Sequence, residues 1–480
     1  MSLPYTIVIG LEVHVQLLTR TKLFCGCLNK FGQPPNTATC PVCLGLPGSL
    51  PVMNREAFRL AQKAALALNC RLARFTKWDR KNYYYPDLPK NYQISQYDLP
   101  FSHDGWLDIP GKRVGIIRAH LEEDAGKNLH DESGRGGDTR VDLNRTGTPL
   151  LEIVSKPEMN TPEEAVAYLE EIRLMMRELK VSDCEMQEGS LRCDANVNLH
   201  VGEAATPLVE IKNLNSFRAV GRAIKYEAER QFTEFQKDPA GYRIDRIAKT
   251  TAGWDDARGR TEVQRHKEEA ADYRYFPDPD LVPVIVTEEQ IEAVRAEMGE
   301  LPQQQRARLI AQYGLSEYDA EVLTAKGRDL VAYFEAVAGE LKDAKAAANR
   351  ISDLVFPALA ERNETIADFP IVATAFAHFI RTTGPLSKQD RLDLMAHMLE
   401  HGVNLEAAMA ATGIQPRTFD ESALRAAVLG AIAANAKIVA DIKKGKDAAK
   451  GALVGAVMKT NKGAPNDIVR RLLDEELAKA

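Results

Sequence analysis

The sequence predicts an α+β protein: a large domain built on a mainly antiparallel sheet, then an all-α domain and a small helical tail. Three observations carry that prediction. The chain has 480 residues, more than one hydrophobic core accommodates. Short runs that alternate apolar and polar residues recur through positions 1–286, with the two-residue period of half-buried strands. Past Pro283 that period gives way to helical spacing in a stretch rich in Ala, Glu, Leu and Arg.

The first alternating run spans Thr6 to Leu17. The apolar N-terminal segment lacks a basic flank and runs straight into Glu12 and His14, so it reads as a strand and not as a targeting segment. A helix is expected from Glu56 to Leu68. Strands are expected over Gly115–Glu122, Leu150–Val154, Leu191–Asn198 and Leu208–Lys212. Between the second and third of these, Pro162 stands at a favourable first helical position. Leu169, Ile172 and Met176 then repeat at helical spacing, which predicts a helix ending near Leu179. Thr287 and Gln290 have the spacing of a capping box and open a helical domain, 287–411. Gly413, Pro416 and Asp420 mark a linker, and residues 412–480 form the tail domain. Gly134-Arg135-Gly136-Gly137 reads as a hairpin or turn. No stretch approaches the roughly 18 apolar residues of a membrane helix, so a cytoplasmic protein is expected. The net charge of −6 means that any basic, nucleic-acid-binding surface must be local.

There are seven cysteines, an odd number, and four of them cluster. Cys25 and Cys27 form a CxC pair, and Cys40 and Cys43 a CxxC pair, each in a Gly- or Pro-containing turn. Two such pairs can offer four thiolates to one tetrahedral zinc in a reducing compartment. Four thiolates leave no open coordination position, so the expected role is structural. Cys70, Cys184 and Cys193 read as buried core.

The polar sides of the strands carry the chemistry. Successive side chains of a strand point to opposite faces, so Glu12, His14 and Gln16 share one face while Leu11, Val13, Val15 and Leu17 share the other. By the same rule Arg118, His120 and Glu122 stand together, as do Arg192, Asp194, Asn196 and Asn198, and Glu210 with Lys212. Glu152 is flanked by Leu and Ile, where a carboxylate needs a partner. For any one strand a solvated outer face is the ordinary reading. As a set, short carboxylates, His, Arg and Asn are the groups that bind Mg²⁺ and phosphate, and a face lined with them suits metal-assisted phosphoryl transfer. The sequence has no GxxxxGK(S/T) loop and no GxSxG elbow. Trp78–Pro100 interleaves Tyr83, Tyr84, Tyr85, Tyr92 and Tyr97 with Arg80, Lys81 and Lys90. Such a segment either stacks on unpaired bases or is a Pro-pinned loop packing tyrosines on the core, and composition does not choose between them.

The segments IGLEVHVQL, DRKNYYYPDLPKNYQISQYD, HLEEDAGK, VDLNRTGTPLLEIVS, EGSLRCDANVN, EIKNLNSF and DYRYFPDPDLVP together resemble the GatB family, the B subunits of glutamyl/aspartyl-tRNA amidotransferases. The resemblance continues into KGALVGAVMK, which is similar to a YqeY-like tail. It implies a cradle-shaped first domain that takes the 3′ end of misacylated Glu-tRNA(Gln) or Asp-tRNA(Asn). ATP phosphorylates the side-chain carboxylate there, and ammonia displaces the phosphate. The ammonia comes from an amidase-type A subunit, and a small C subunit ties A to B. Carried over onto this sequence, the divalent-metal site is Glu12, His14, Glu122 and Glu152, with Asp194 a possible fifth member and Glu123 the competitor to Glu122. Arg118, Lys127 and Arg192 are candidates for the phosphates. Lys81, Tyr84 and Lys90 would line the ammonia path or hold the acceptor end. The CxC…CxxC set looks like the structural zinc cluster of some members.

From Lys437 to Arg471 the tail carries nine Lys or Arg against three Asp. On charge alone such a run is a solvated helix face. The YqeY-like resemblance implies tRNA contact through Lys443, Lys444, Lys446, Lys450, Lys459 and Lys462. The competing reading of the whole chain is a non-catalytic, zinc-stapled module that only presents tRNA to a partner enzyme.

Overall fold

The computed structural model describes residues 4–129, 138–242, 249–266, 270–415, 421–443, 449–461, 464 and 466–479. The expected turn at Gly134–Gly137, part of the linker, and Lys444, Lys446 and Lys462 lie outside these residues, as does the side chain of Lys443. The chain divides into two compact units, Met1–Gln304 and Gln305–Ala480.

The first unit is built on a ten-stranded sheet. Its strands are β1 (Thr6–Gln16), β2 (Arg71–Leu72), β3 (Ser102–Ile109), β4 (Lys112–Glu123), β5 (Pro149–Ser155), β6 (Leu191–Val201), β7 (Ala204–Ala205), β8 (Leu208–Lys212), β9 (Lys249–Asp255) and β10 (Arg260–His266). The order is β10-β9-β8-β6-β1-β5-β4-β3-β2, with β7 paired to β6. All of these pairs are antiparallel except β8 with β9. A parallel pair needs a crossover, and the helix Phe217–Lys237 lies in that connection. Sequence patterning did not predict this helix.

One face of the sheet is apolar. Leu11, Val13, Val15, Leu121, Leu151, Ile153, Leu191 and Val197 are buried in a single core. Helices α1 (Arg55–Ala67), α2 (Pro162–Glu178) and α3 (Phe217–Lys237) contribute to that core. Each starts at a side chain that accepts hydrogen bonds from otherwise unpaired first-turn N–H groups: Asn54, Thr161 and Ser216. A small sheet of Asp79–Asn82, Tyr92–Ser95 and Phe276–Pro277 leans on β4 through the bond from Ile94 N to Glu123 Oε1, 3.0 Å.

The capping box at Thr287 and Gln290 is present and opens α4 (Glu288–Ala296). This helix does not begin the helical domain, as the expected boundary at 286/287 requires. Ile291, Val294 and Met298 are buried in the core of the first unit, so that unit runs on to Gln304. Helical period alone does not reveal which core a helix serves. The second unit is helical throughout its described residues and holds two apolar cores, one from Leu309 to Ala408 and one from Leu424 to Leu473. No helix among the described residues is long and apolar enough to cross a membrane.

Candidate active site and cysteine cluster

Register decides which polar side chains meet. His14 on β1 lies opposite Glu152 on β5 and Arg192 on β6, and Glu152 lies opposite His120 on β4. One row across four strands therefore reads Arg192, His14, Glu152, His120. Glu122 stands two residues beyond His120 on the same face. His14, Glu122 and Glu152 each offer a ligand atom, and these atoms lie within 4.8 Å of one another. His14 Nε2 is 3.6 Å and His120 Nε2 3.4 Å from Glu152 Oε2.

The neighbouring row is shifted by two residues. Glu12 faces Asp194, and Asn196 on the same strand faces Glu210. Glu12, Asp194 and Glu210 form a second group within 4.8 Å. Asn196 Nδ2 donates to Glu12 at 2.9 Å, and Lys212 pairs with Asp194 at 2.5 Å. The expected single set is thus divided: the structure brings His14, Glu122 and Glu152 together and places Glu12 and Asp194 with Glu210. Glu123 points away from the His14 group. Its carboxylate accepts from Ile94 N and forms an ion pair with Lys90.

The electrostatics separate the two central carboxylates. Burial pushes the pKa of Glu122 up. Burial acts the same way on Glu152, but His120, His14 and Lys81 outweigh it and hold this carboxyl well below the usual range. Burial disfavours protonated His14, yet Glu152 more than compensates and raises its pKa. His120 has less compensation, and burial pushes it down to about 3. Among the described residues, His120 Nδ1 is buried with no hydrogen-bond partner. The Lys81 ammonium is also disfavoured by burial, and the charges of Glu122 and Glu152 raise its pKa well above the ordinary value. Two carboxylates and a neutral-capable His, with a cation beside them, are the donor types of an Mg²⁺ site that handles phosphate.

The other expected residues are distributed around this face. Arg118 donates to the Tyr97 carbonyl at 3.0 Å. Arg192 is held by Asp124 at 2.5 Å, and Asp124 also accepts from Gln16 at 2.8 Å. Lys127 lines a groove with Gln16, Arg145 and Arg192. Tyr84 is 70% exposed, with Arg274 over its ring. Lys90 is turned to Glu123 and lines a cavity with Cys25 and Cys43, away from the His14 group. Lys450 pairs with Asp474 at 3.0 Å. His120 and Asp124 were absent from the expected set. Alternation already places His120 beside Glu122, so its signal was available; Asp124 lies past the end of β4, where alternation stops.

The four cysteines Cys25, Cys27, Cys40 and Cys43 come together, with their Sγ atoms within 4.8 Å of one another. Pro41 starts a single helical turn, Pro41–Leu44, that turns Cys43 back onto Cys40, and Cys40 N donates to Cys43 Sγ at 3.1 Å. Contact with the Cys25 thiol, together with the Cys40 N–H and the Lys22 ammonium, pulls Cys43 down to about 5 against burial. Burial pushes Cys27 up to about 11. The set has the donors of a closed, four-thiolate metal site.

Comparison with known proteins agrees with this picture. Residues 7–292 match the model of the GatB/GatE catalytic domain, and residues 332–477 match that of the GatB domain. The chain is similar to a Rhodopirellula baltica protein named as the B subunit of aspartyl/glutamyl-tRNA(Asn/Gln) amidotransferase, with 51% identity over 99% of this chain and 97% of that one. Proteins of the same name from Moorella thermoacetica (46% identity, 99% of this chain and 100% of that one) and a Thermoanaerobacter species (45%, 99% and 100%) are also similar. With a catalytic-domain match that spans most of the first unit and relatives aligned from end to end, the chain belongs to the GatB/GatE family.

Proposed function

We propose that this chain is the B subunit of an aspartyl/glutamyl-tRNA amidotransferase and carries its kinase and amidation site on the polar sheet face. The observation that carries the reading is the convergence of His14, Glu122 and Glu152 from three strands beside Lys81. A side-chain carboxylate is a poor electrophile. Its oxygen attacks the γ-phosphorus of ATP, ADP leaves, and an acyl phosphate results. Ammonia then attacks the acyl carbon, the carbon–oxygen bond breaks, and phosphate leaves with the amide formed.

His14, Glu122 and Glu152 would hold Mg²⁺, which supplies charge neutralisation at the transferring phosphoryl group. Lys81 and Arg118 would orient the phosphates, and Arg192 is positioned for the same work by Asp124. Tyr84 is exposed where a base can stack on it. Glu12, Asp194 and Glu210 form a second acidic group on the same face. The four cysteines would hold a structural Zn²⁺. Ammonia would come from an amidase-type A subunit, with a small C subunit completing a cytoplasmic heterotrimer. The basic tail, 412–480, would contact tRNA through its lysines.

The deciding experiment is Mg²⁺-dependent ATP cleavage by the assembled complex, with and without misacylated tRNA. Misacylated tRNA should stimulate cleavage, and Glu152→Ala should reduce it by at least about 100-fold while glutaminase activity survives. Cleavage by the variant at the wild-type rate would instead favour a chain that only presents tRNA.

A further inference from the structure

Lys22 is 0% exposed. Its ammonium donates to the Ala38 carbonyl at 2.7 Å and reaches Cys43 Sγ at 3.8 Å. Among the described residues it forms no ion pair with a carboxylate. The backbone fixes it in place: Lys22 N donates to Cys27 O at 3.0 Å, Leu23 N to Gly147 O at 2.8 Å, and Asn54 Nδ2 to Lys22 O at 3.2 Å. The side chain therefore enters the cysteine cluster from a rigid segment and has no route to solvent.

A buried ammonium with one neutral acceptor is unfavourable unless an anion stands beside it. The emptied cluster offers Lys22 at most the one thiolate of Cys43, 3.8 Å away. Four thiolates around a divalent ion leave a net charge of about minus two, spread over the sulfurs. We propose that Lys22 is the built-in counter-charge of the cysteine cluster. It stabilises the metal-loaded tetrathiolate more than the emptied cluster, so that retention of the ion depends on a residue that is not a ligand. This rests on the cluster being a metal site. The lysine acts through Cys43 and is a positioning residue for it.

The test uses the full-length chain supplied with zinc. Zinc content is measured by emission spectroscopy, release by transfer to a chromophoric chelator, and melting with and without that chelator. Wild type should hold one equivalent. Lys22→Met should release zinc at least about tenfold faster, as second-sphere losses generally do. Chelation should also lower the melting temperature of Lys22→Met less than that of wild type, because removing the ion takes from wild type most of the negative charge that its buried ammonium faces. If Lys22→Met does not fold, Lys22→Arg and Lys22→Gln separate charge from shape: Arg should keep slow release and Gln should lose it. Stoichiometric zinc with the same release rate and the same chelator effect in wild type and the neutral variant overturns the counter-charge. Wild type that holds no added zinc overturns the metal reading of the cluster itself.

Discussion

At the residue scale, Glu122 and Glu152 show how one environment gives two carboxylates different duties. Both are buried, and the difference lies in their partners. Glu152 faces His14 and His120 at 3.6 and 3.4 Å, while among the described residues Glu122 accepts a hydrogen bond from Ser95 at 3.3 Å and has His120 Nε2 only at 3.9 Å. Lys81 is the cation that both feel. Lys81→Met should therefore lower the rate of acyl-phosphate formation by about 100-fold with little change in tRNA affinity. Rapid-quench measurement of ADP formation checks this, and an unchanged rate would remove Lys81 from the mechanism. Asp124 supports a stability prediction. Burial raises its pKa, but Arg192 and Arg145 outweigh burial and the net shift is downward. Its folded pKa is below its unfolded value of about 3.9, so its contribution is complete above about pH 4 and is lost as pH falls through the folded value. Asp124→Asn should cost about 2 kcal/mol at pH 7, less than a fully buried pair because both arginines are partly exposed. In urea unfolding the gap to wild type should narrow toward pH 3, and a gap independent of pH would refute the assignment.

At the element scale, the start of α1 ties two functional regions together. Asn54 caps the helix through Glu56 N and Ala57 N, and its amide also donates to Thr21 O, Thr21 Oγ1 and Lys22 O. Asn54→Ala should cost about 2 kcal/mol, the upper end for a lost cap, because the segment that feeds the cysteine cluster is released as well. Chelator-induced zinc release should accelerate in the same variant; a stability loss with no effect on release would limit Asn54 to capping. These elements also mark what the sequence made legible. Strand faces were readable because alternation is local: Glu12, His14 and Gln16 needed only β1 itself. The division of Glu12 from His14 was not readable. It depends on β1 pairing with β5 and β6 in a register that brings Glu152 to His14 and Asp194 to Glu12. The cysteine cluster was legible from spacing because each turn is local, whereas buried Lys22 gave no signal, since a lone lysine near a strand end is ordinarily solvated. Helix α3 was missed because charged residues dilute its apolar stripe, though Ala219, Val220, Ala223, Ile224 and Ala228 do repeat at helical spacing.

At the scale of the molecule, catalysis and tRNA selection are expected to be separable. The polar face and the cysteine cluster both lie within Met1–Gln304. The tail has a core of its own, Leu424 to Leu473, closed by Arg425 pairing with Glu475 and Glu476. The larger helical core ends at Ala408, and Gly413 terminates the last helix before the linker in a left-handed turn with φ 70°. Deleting residues 412–480 therefore removes one complete core and takes from the larger one only Ile414 at its edge and the Gly413 cap, and the remainder should fold. The expected effect is on recognition. Each lysine withdrawn from a phosphate returns a counterion, so the truncated complex should bind tRNA about tenfold or more weakly at about 100 mM salt and with a shallower dependence of log K on log salt. At saturating misacylated tRNA its Mg²⁺-dependent ATP cleavage should stay within about twofold of wild type, because no group of the sheet face is lost. Binding isotherms at several salt concentrations, paired with the cleavage assay, distinguish the outcomes. Unchanged affinity and slope would show that the tail's positive charge is only a solvated surface. Weakened cleavage at saturation would show that the tail helps to place the acceptor end on the sheet face.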